Sequence, residues 1–319
     1  MLDLAVEAHE LARAKTGTEI PGVVVEKEGL PYATVTIVRV ETEEAERMMQ
    51  KPRGTYITID SPAIRDNNRR VHRQIVELLG QKLKLLLQNL RLPEEASVLI
   101  VGLGNWHATP DALGPRTIDY TLVTRHLHRY APQELRGGLR EVSALAPGVL
   151  GITGIETAEI IRGVVEKVRP DLVITVDALA ARNVERITTS IQLADTGISP
   201  GSGIGNDRTG INRETVGIPV IAIGVPTVVH AAFIAGDAME RLWQELNKNP
   251  NLHKVYKFLH PELVQSVTDS LLAPFGGRLM VTPKEIDELT QNIARILAGG
   301  ITTALHPGIP AEEFSLYLG

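Results

Sequence analysis

The stretch Val98-Leu-Ile-Val-Gly-Leu-Gly-Asn-Trp-His-Ala-Thr-Pro-Asp-Ala-Leu-Gly-Pro115 decides how the rest of the chain is read. Ser97 to Val101 is a short apolar run, the form of a strand buried on both faces of a parallel sheet. Gly102, Gly104 and Asn105 then break it into a polar turn that carries Asp111. Loops just past the carboxyl ends of parallel strands are where open α/β sheets bind ligands and do chemistry. A second stretch of this shape, Asp171-Leu-Val-Ile-Thr-Val-Asp-Ala-Leu-Ala-Ala181, sets Asp177 as its strand-end acid. Both acids follow an apolar strand and precede Ala-Leu, and they are the starting pair for a functional reading.

Around that pair the chain alternates strand and helix patterns. Leu4 to Lys15 reads as an amphipathic helix, and Gly22 to Glu26, Tyr32 to Val40 and Gly54 to Ile59 as strands of an antiparallel extension. Arg69 to Leu90 carries Val71, Ile75, Leu78, Leu79, Leu83, Leu86 and Leu90 on one stripe, a helix covering a sheet face, with Asp66 or Asn67 as its cap. A helix is expected from Thr117 to Tyr130, a strand over Arg140 to Ala146 and a helix over Glu156 to Val168. Strands follow at Leu172 to Val176, Thr189 to Leu193 and Val220 to Val225. Asp195 to Gly217 reads as a long polar loop, and Glu240 to Gly277 as short helical pieces forming a lid or subunit contact. Thr282-Pro-Lys-Glu285 predicts a capping box opening a helix that Gly299-Gly300 ends near Ala298. The pattern predicts an α/β fold: three α/β/α layers with a largely parallel central sheet and an antiparallel N-terminal extension. No linker is evident, so residues 1–319 read as a single domain, with 1–65 the extension, 66–235 the core and 236–319 a helical C-terminal part.

Composition narrows the function. Hydrophobic residues make up 43% of the chain but aromatics only 4%, so the core is built from Val, Ile, Leu and Ala. A net charge of −5 without long runs of one sign does not suggest nucleic-acid or membrane-surface binding. The absence of cysteine excludes disulfides, zinc thiolates and thiol nucleophiles. With no membrane-length apolar run and no signal-peptide pattern, a cytoplasmic protein is expected.

A dinucleotide site at Gly102-x-Gly104 fails because Asn105-Trp106-His107 replaces the third glycine, and Asp111 would face a pyrophosphate. Gly201-Ser-Gly-Ile-Gly-Asn206 lacks the Lys-Ser/Thr of a P-loop. No Gly-x-Ser-x-Gly elbow and no His-Glu-x-x-His is present, and His107, His126, His128 and His230 read as surface or core-lining residues. That leaves Asp111 and Asp177, either as helix caps or as a pair dividing base and acid roles. Three functional readings stand: a hydrolase working through the two aspartates alone, the same hydrolase with the aspartates as metal ligands, and a nucleotide-binding or assembly module on the glycine loops.

Beyond spacing, several blocks resemble the germination protease of spore-forming bacteria. They are Asn105-Trp-His-Ala-Thr-Pro-Asp-Ala-Leu-Gly-Pro115, Ala146-Pro-Gly-Val-Leu-Gly-Ile-Thr-Gly-Ile-Glu-Thr157, Val176-Asp-Ala-Leu-Ala-Ala-Arg182 and Ile223-Gly-Val-Pro-Thr-Val-Val229. Leu122-Val-Thr-Arg-His-Leu127, Asp195-Thr-Gly-Ile-Ser-Pro-Gly-Ser-Gly203 and Met280-Val-Thr-Pro-Lys-Glu285 extend the resemblance, which is weakest from Glu240 to Leu271. It implies an atypical aspartic-type endopeptidase that degrades small acid-soluble spore proteins in the germinating spore core. It also implies a homotetramer, no cofactor, no required metal, and no direct nucleic-acid or membrane partner. The fold of that family is distantly similar to the hydrogenase-maturation peptidases, whose corresponding acids hold a metal. The family's two essential aspartates fall on Asp111 and Asp177. The family is made as a zymogen, and Leu2-Asp-Leu-Ala-Val-Glu7 resembles its self-processing site, with the scissile bond at Asp3–Leu4. Three residues precede that bond, fewer than in the family's prosegment, so either the chain begins internally or its activity is controlled differently; as an alternative, Asp3 caps the first helix.

Overall fold

The computed structural model describes residues 2–66, 68–132, 138–201, 208–248, 261–276 and 279–308. Among them nine strands form one mixed sheet: β1 (Val23–Leu30), β2 (Ala33–Val40), β3 (Gly54–Asp60), β4 (Val98–Gly102), β5 (Val142–Leu145), β6 (Leu172–Ala181), β7 (Ser190–Ala194), β8 (Val220–His230) and β9 (Met280–Val281). Their order is β1-β2-β3-β7-β8-β6-β4-β5, with β9 added to β8. The apolar runs β5, β4, β6 and β8 pair in parallel, while β7, β3, β2 and β1 continue the sheet antiparallel.

Strand alternation sends successive side chains to opposite faces, so each parallel strand feeds two cores. Ile100 of β4 and Ile174 of β6 pack with Leu79 and Leu83 of the helix Arg69–Asn89 and with Ile293 and Leu297 of the helix Ile286–Leu305. Leu99, Val101 and Val173 face the other way, onto Ile161 and Val165 of the helix Thr157–Val168. The helix Ala5–Thr16 covers β2, β3 and β7 through Ala5, Ala8, Val38, Tyr56 and Ala194. This is the expected three-layer α/β/α fold with its antiparallel N-terminal extension. Truncating a residue such as Ile174 or Leu79 to alanine costs about 2–5 kcal/mol through lost burial and cavity formation.

Several boundaries differ from the sequence reading, each for a tertiary reason. The expected helix from Thr117 to Tyr130 is two helices, Leu113–Asp119 and Arg125–Tyr130. Between them the buried Thr124 exchanges backbone and hydroxyl bonds with Val142, tying this segment to β5. The capping box at Thr282 does not form: the helix starts after Glu285, and the Thr282 hydroxyl donates to the Thr227 carbonyl at 2.8 Å. That helix also runs through Gly299 and Gly300 to Leu305, because side chains there would strike Val76 and Leu79 of the facing helix. The glycines here permit close helix packing. The cap of Arg69–Asn89 is Asn68 rather than Asp66, and Asn67 lies outside the described residues. In the Asp195–Gly217 stretch, a bridge between Ile198 and Ile211 and a capped turn at Asn212 organise the described part; residues 202–207 lie outside it. From Glu240 to Gly277 the described residues belong mainly to two helices, Ala231–Lys248 and Pro261–Leu272. Among the described residues no helix is long and apolar enough to cross a membrane.

Candidate active site

β4 stops at Gly102, which pairs with Val176 of β6. The chain is then pinned to β6 once more, through the Leu103 N–H on the Val176 carbonyl at 2.8 Å. Gly104 turns it off the sheet with φ +117°, and a side chain there would overlap the Asp111 carbonyl. The loop closes on itself: Asn105 N–H donates to Asp111 Oδ2 at 2.9 Å and to the Asp111 carbonyl at 3.2 Å. Gly114 then packs its bare Cα against the backbones of Leu103 and Val176. Asp111 is thus held over β6 by glycines on both sides of it. It does not cap the next helix, whose N-cap is Ala112 without a side-chain bond.

Asp177 is not a strand-end acid. β6 continues to Ala181, because β8 pairs with it past the end of β4, and Asp177 sits within the ladder opposite Gly224. Only 5% of it is exposed, and its Oδ1 accepts the Ala178 N–H at 2.9 Å. The two acids, one from a loop and one from a strand, line a single cleft of about 470 Å³.

Electrostatics separates them. Burial pushes the Asp111 carboxyl up to about 6 against the opposing Asn105 N–H. Burial raises Asp177 well above the usual carboxylate value, and the nearby Asp111 and Asp3 charges push in the same direction.

Asp3 borders the same cleft. It does not cap the first helix, whose N-cap is Leu4 with no side-chain bond. Instead its Oδ2 accepts the Ala180 N–H at 2.9 Å, while its main-chain carbonyl accepts Lys51 Nζ at 2.8 Å and Gln192 Nε2 at 3.2 Å. Gln192 Oε1 in turn accepts the Ala5 N–H at 2.6 Å. Leu4 is fully buried against Val6 and Leu179. Glu7 is buried too, its carboxylate accepting the N–H groups of Arg182 and Asn183 and facing Arg186 Nε at 3.6 Å. Burial nevertheless leaves Glu7 raised, with those three partners opposing the shift. Burial lowers the Lys51 ammonium, and Asp3 and Glu7 oppose that.

Sequence reasoning missed Lys51, Gln192 and Arg186, whereas Glu7 stood in the stretch that resembles the processing site. Of the missed residues only Gln192 carries a signal, a glutamine between Ile191 and Leu193 in a wholly buried strand, 8% exposed. Of the histidines set aside, His128 faces the Leu139 carbonyl and His230 stacks edge-on with Phe233; none of the four lines the cleft. Gly201 borders the cleft, and the rest of its glycine motif lies outside the described residues. Among the described residues no group of three or more His, Cys, Asp or Glu is placed to hold a metal ion.

The family model described as germination protease matches residues 3–265 and 257–318 of this chain. A germination protease of Caldanaerobacter subterraneus subsp. tengcongensis is 47% identical, over 99% of this chain and 97% of the relative. Those of Clostridium tetani and Priestia megaterium are 43% and 39% identical, over 99% of this chain in each case and 98% and 96% of the relatives.

Proposed function

This chain belongs to the germination protease family and is a peptidase of spore germination, and we propose that Asp111 and Asp177 activate water to cleave its substrate proteins. The observation that carries the reading is that both carboxylates line one cleft in unequal settings, Asp111 half-buried on a loop and Asp177 buried in a strand. Asp111, the less buried of the two, serves as general base, and Asp177, whose burial favours the protonated form, serves as general acid. Asp111 takes a proton from water as it adds to the scissile carbonyl; Asp177 then gives its proton to the leaving nitrogen. The substrates are small acid-soluble spore proteins, and the chain acts as an aspartic-type endopeptidase without a metal, in the spore core.

Cleavage of a peptide containing Glu-Ile-Ala-Ser-Glu tests this reading directly. Asp111→Asn and Asp177→Asn each abolish turnover; retained activity in both variants overturns the assignment. Activity that vanishes with a chelator and returns with a divalent cation would favour the metal-dependent alternative.

The Asp3–Leu4 bond is the self-processing site. Support comes from Asp3 lining the same cleft as both acids and acting on Asp177 through its charge. A peptide substrate must displace Asp3 from the cleft, so a chain lacking residues 1–3 cleaves the peptide faster, and mass spectrometry finds the cut after Asp3. We assign a homotetramer on the exposed apolar side chains Val267, Leu271 and Phe275; a monomeric mass by light scattering would overturn it. Residues 1–65, 66–235 and 236–319 are then parts of one domain.

A further inference from the structure

We propose that Lys51 and Gln192 bind the carbonyl oxygen of the residue ahead of the cut and stabilise the negative charge it acquires during hydrolysis. The proposal rests on the peptidase reading of the Asp111–Asp177 cleft.

The chain's own N-terminal segment serves as a guide to a bound peptide: Asp3 borders the Asp111–Asp177 cleft and also the adjoining pocket lined by Lys51 and Gln192. Its Asp3 carbonyl receives two side-chain donors from separate elements, Lys51 Nζ at 2.8 Å from the turn before β3 and Gln192 Nε2 at 3.2 Å from β7. The same Gln192 amide accepts the Ala5 N–H at 2.6 Å, so it grips the main chain on both sides of Leu4. A clamp on main-chain atoms fixes one peptide bond in place whatever side chains flank it. The side chains are read separately: the Asp3 carboxylate by the Ala180 N–H, Leu4 by an apolar pocket with Leu179, and Glu7 by the N–H groups of Arg182 and Asn183. This track suits a peptide with an acid, an apolar residue, and a second acid three positions further on. Capping the first helix explains the Ala5 bond to Gln192. It does not explain why a partly buried ammonium, also held by the Asp3 and Glu7 charges, donates to the preceding carbonyl, where it satisfies no helix N–H.

In the reaction, water oxygen adds to the carbonyl carbon and its proton goes to Asp111. The carbonyl π pair moves onto oxygen, where the Lys51 ammonium and the Gln192 N–H hold the charge. Collapse reforms the C=O bond and breaks the C–N bond, and the leaving nitrogen takes the Asp177 proton. Donors aimed at a developing oxyanion contribute to the rate step more than to ground-state binding.

The test measures kcat and KM on the Glu-Ile-Ala-Ser-Glu peptide for the full chain and for Lys51→Met, Lys51→Arg and Gln192→Met. Lys51→Met and Gln192→Met are expected to lower kcat by about 10²–10³-fold, the usual loss of one oxyanion donor, with KM changed by less than about threefold. Lys51→Arg recovers part of the loss, because it restores a charged donor. Thermal melts identify any variant that has lost its fold, and Gln192→Glu, of equal size, then replaces Gln192→Met; it loses at least as much kcat, since it brings negative charge to the oxygen. A kcat within about threefold of the parent, or a loss confined to KM, overturns the proposal. If Asp111→Asn and Asp177→Asn abolish turnover while the Lys51 and Gln192 variants keep it, this inference alone falls. If the aspartate variants keep turnover, the peptidase assignment of the cleft falls and takes this inference with it.

Discussion

The two segments that carry Asp111 and Asp177 bring like groups to one cleft by opposite means. Asp111 rides on a loop fastened by its own hydrogen bonds and by glycines at its base, and it keeps contact with solvent. Asp177 is embedded in the β6–β8 ladder one residue past the end of β4, and it is almost wholly buried. The same side chain therefore titrates near 6 in one setting and far above its ordinary value in the other. Backbone context, with no change of residue type, is enough to shift one carboxyl further than the other, the difference on which the proposed division into base and acid rests.

The strongest way to break the comparison is to remove the buried member. Asp177→Asn should lower kcat/KM on the peptide by about 10³-fold, within the range for lost general acid–base catalysis, whereas a loss under tenfold would make Asp177 a structural acid only. Next comes the support of the loop. Gly104→Ala forces a side chain into the Asp111 carbonyl at a positive φ, and misplacing the carboxylate by about 1 Å should cost about 10²-fold in kcat. Normal kcat in that variant would show that the loop does not position the acid.

A milder test is the pH profile. The base must be ionised, so kcat/KM should rise about tenfold per unit up to about pH 6 and then level off, before falling where Asp177 loses its proton. An acid limb near the ordinary carboxylate value would sink the assignment of Asp111 as base.

The smallest effect is on stability. Both carboxyls bind protons more tightly folded than unfolded, so the folded chain loses stability as pH climbs from the ordinary carboxylate value through the raised ones. Asp177→Asn removes the Asp177 share of that penalty. Its Tm should exceed the parent's by a few degrees at about pH 7, with the gap closing toward about pH 4. A gap independent of pH would mean that the gain does not come from ionisation.

Much of this architecture was legible in the sequence, since apolar runs such as Val98–Val101 and Leu172–Val176 announce buried parallel strands. Both acids were legible as well, from their place after those runs. What sequence could not convey is how far a strand continues once a polar residue interrupts it. Asp177 looks like an end because the apolar pattern stops, yet pairing with β8 carries the backbone on for four more residues, Ala178 to Ala181. Gly299 and Gly300 look like a helix stop because their value lies in a partner helix distant in sequence. Lys51 and Gln192 reach Asp3 across 48 and 189 residues, and no local motif marks such a meeting.

One irregularity of the sheet has its own consequence. Between Leu179 and Ala180 the register with β8 shifts, and β8 carries Thr227 as an extra residue. There the Ala180 N–H turns to the Asp3 carboxylate. Strand length is thus coupled to chemical taste: a β8 shorter by one residue would draw the Ala180 amide back toward a neighbouring carbonyl. The cleft would then lose its grip on an acid without the alteration of any side chain that touches it.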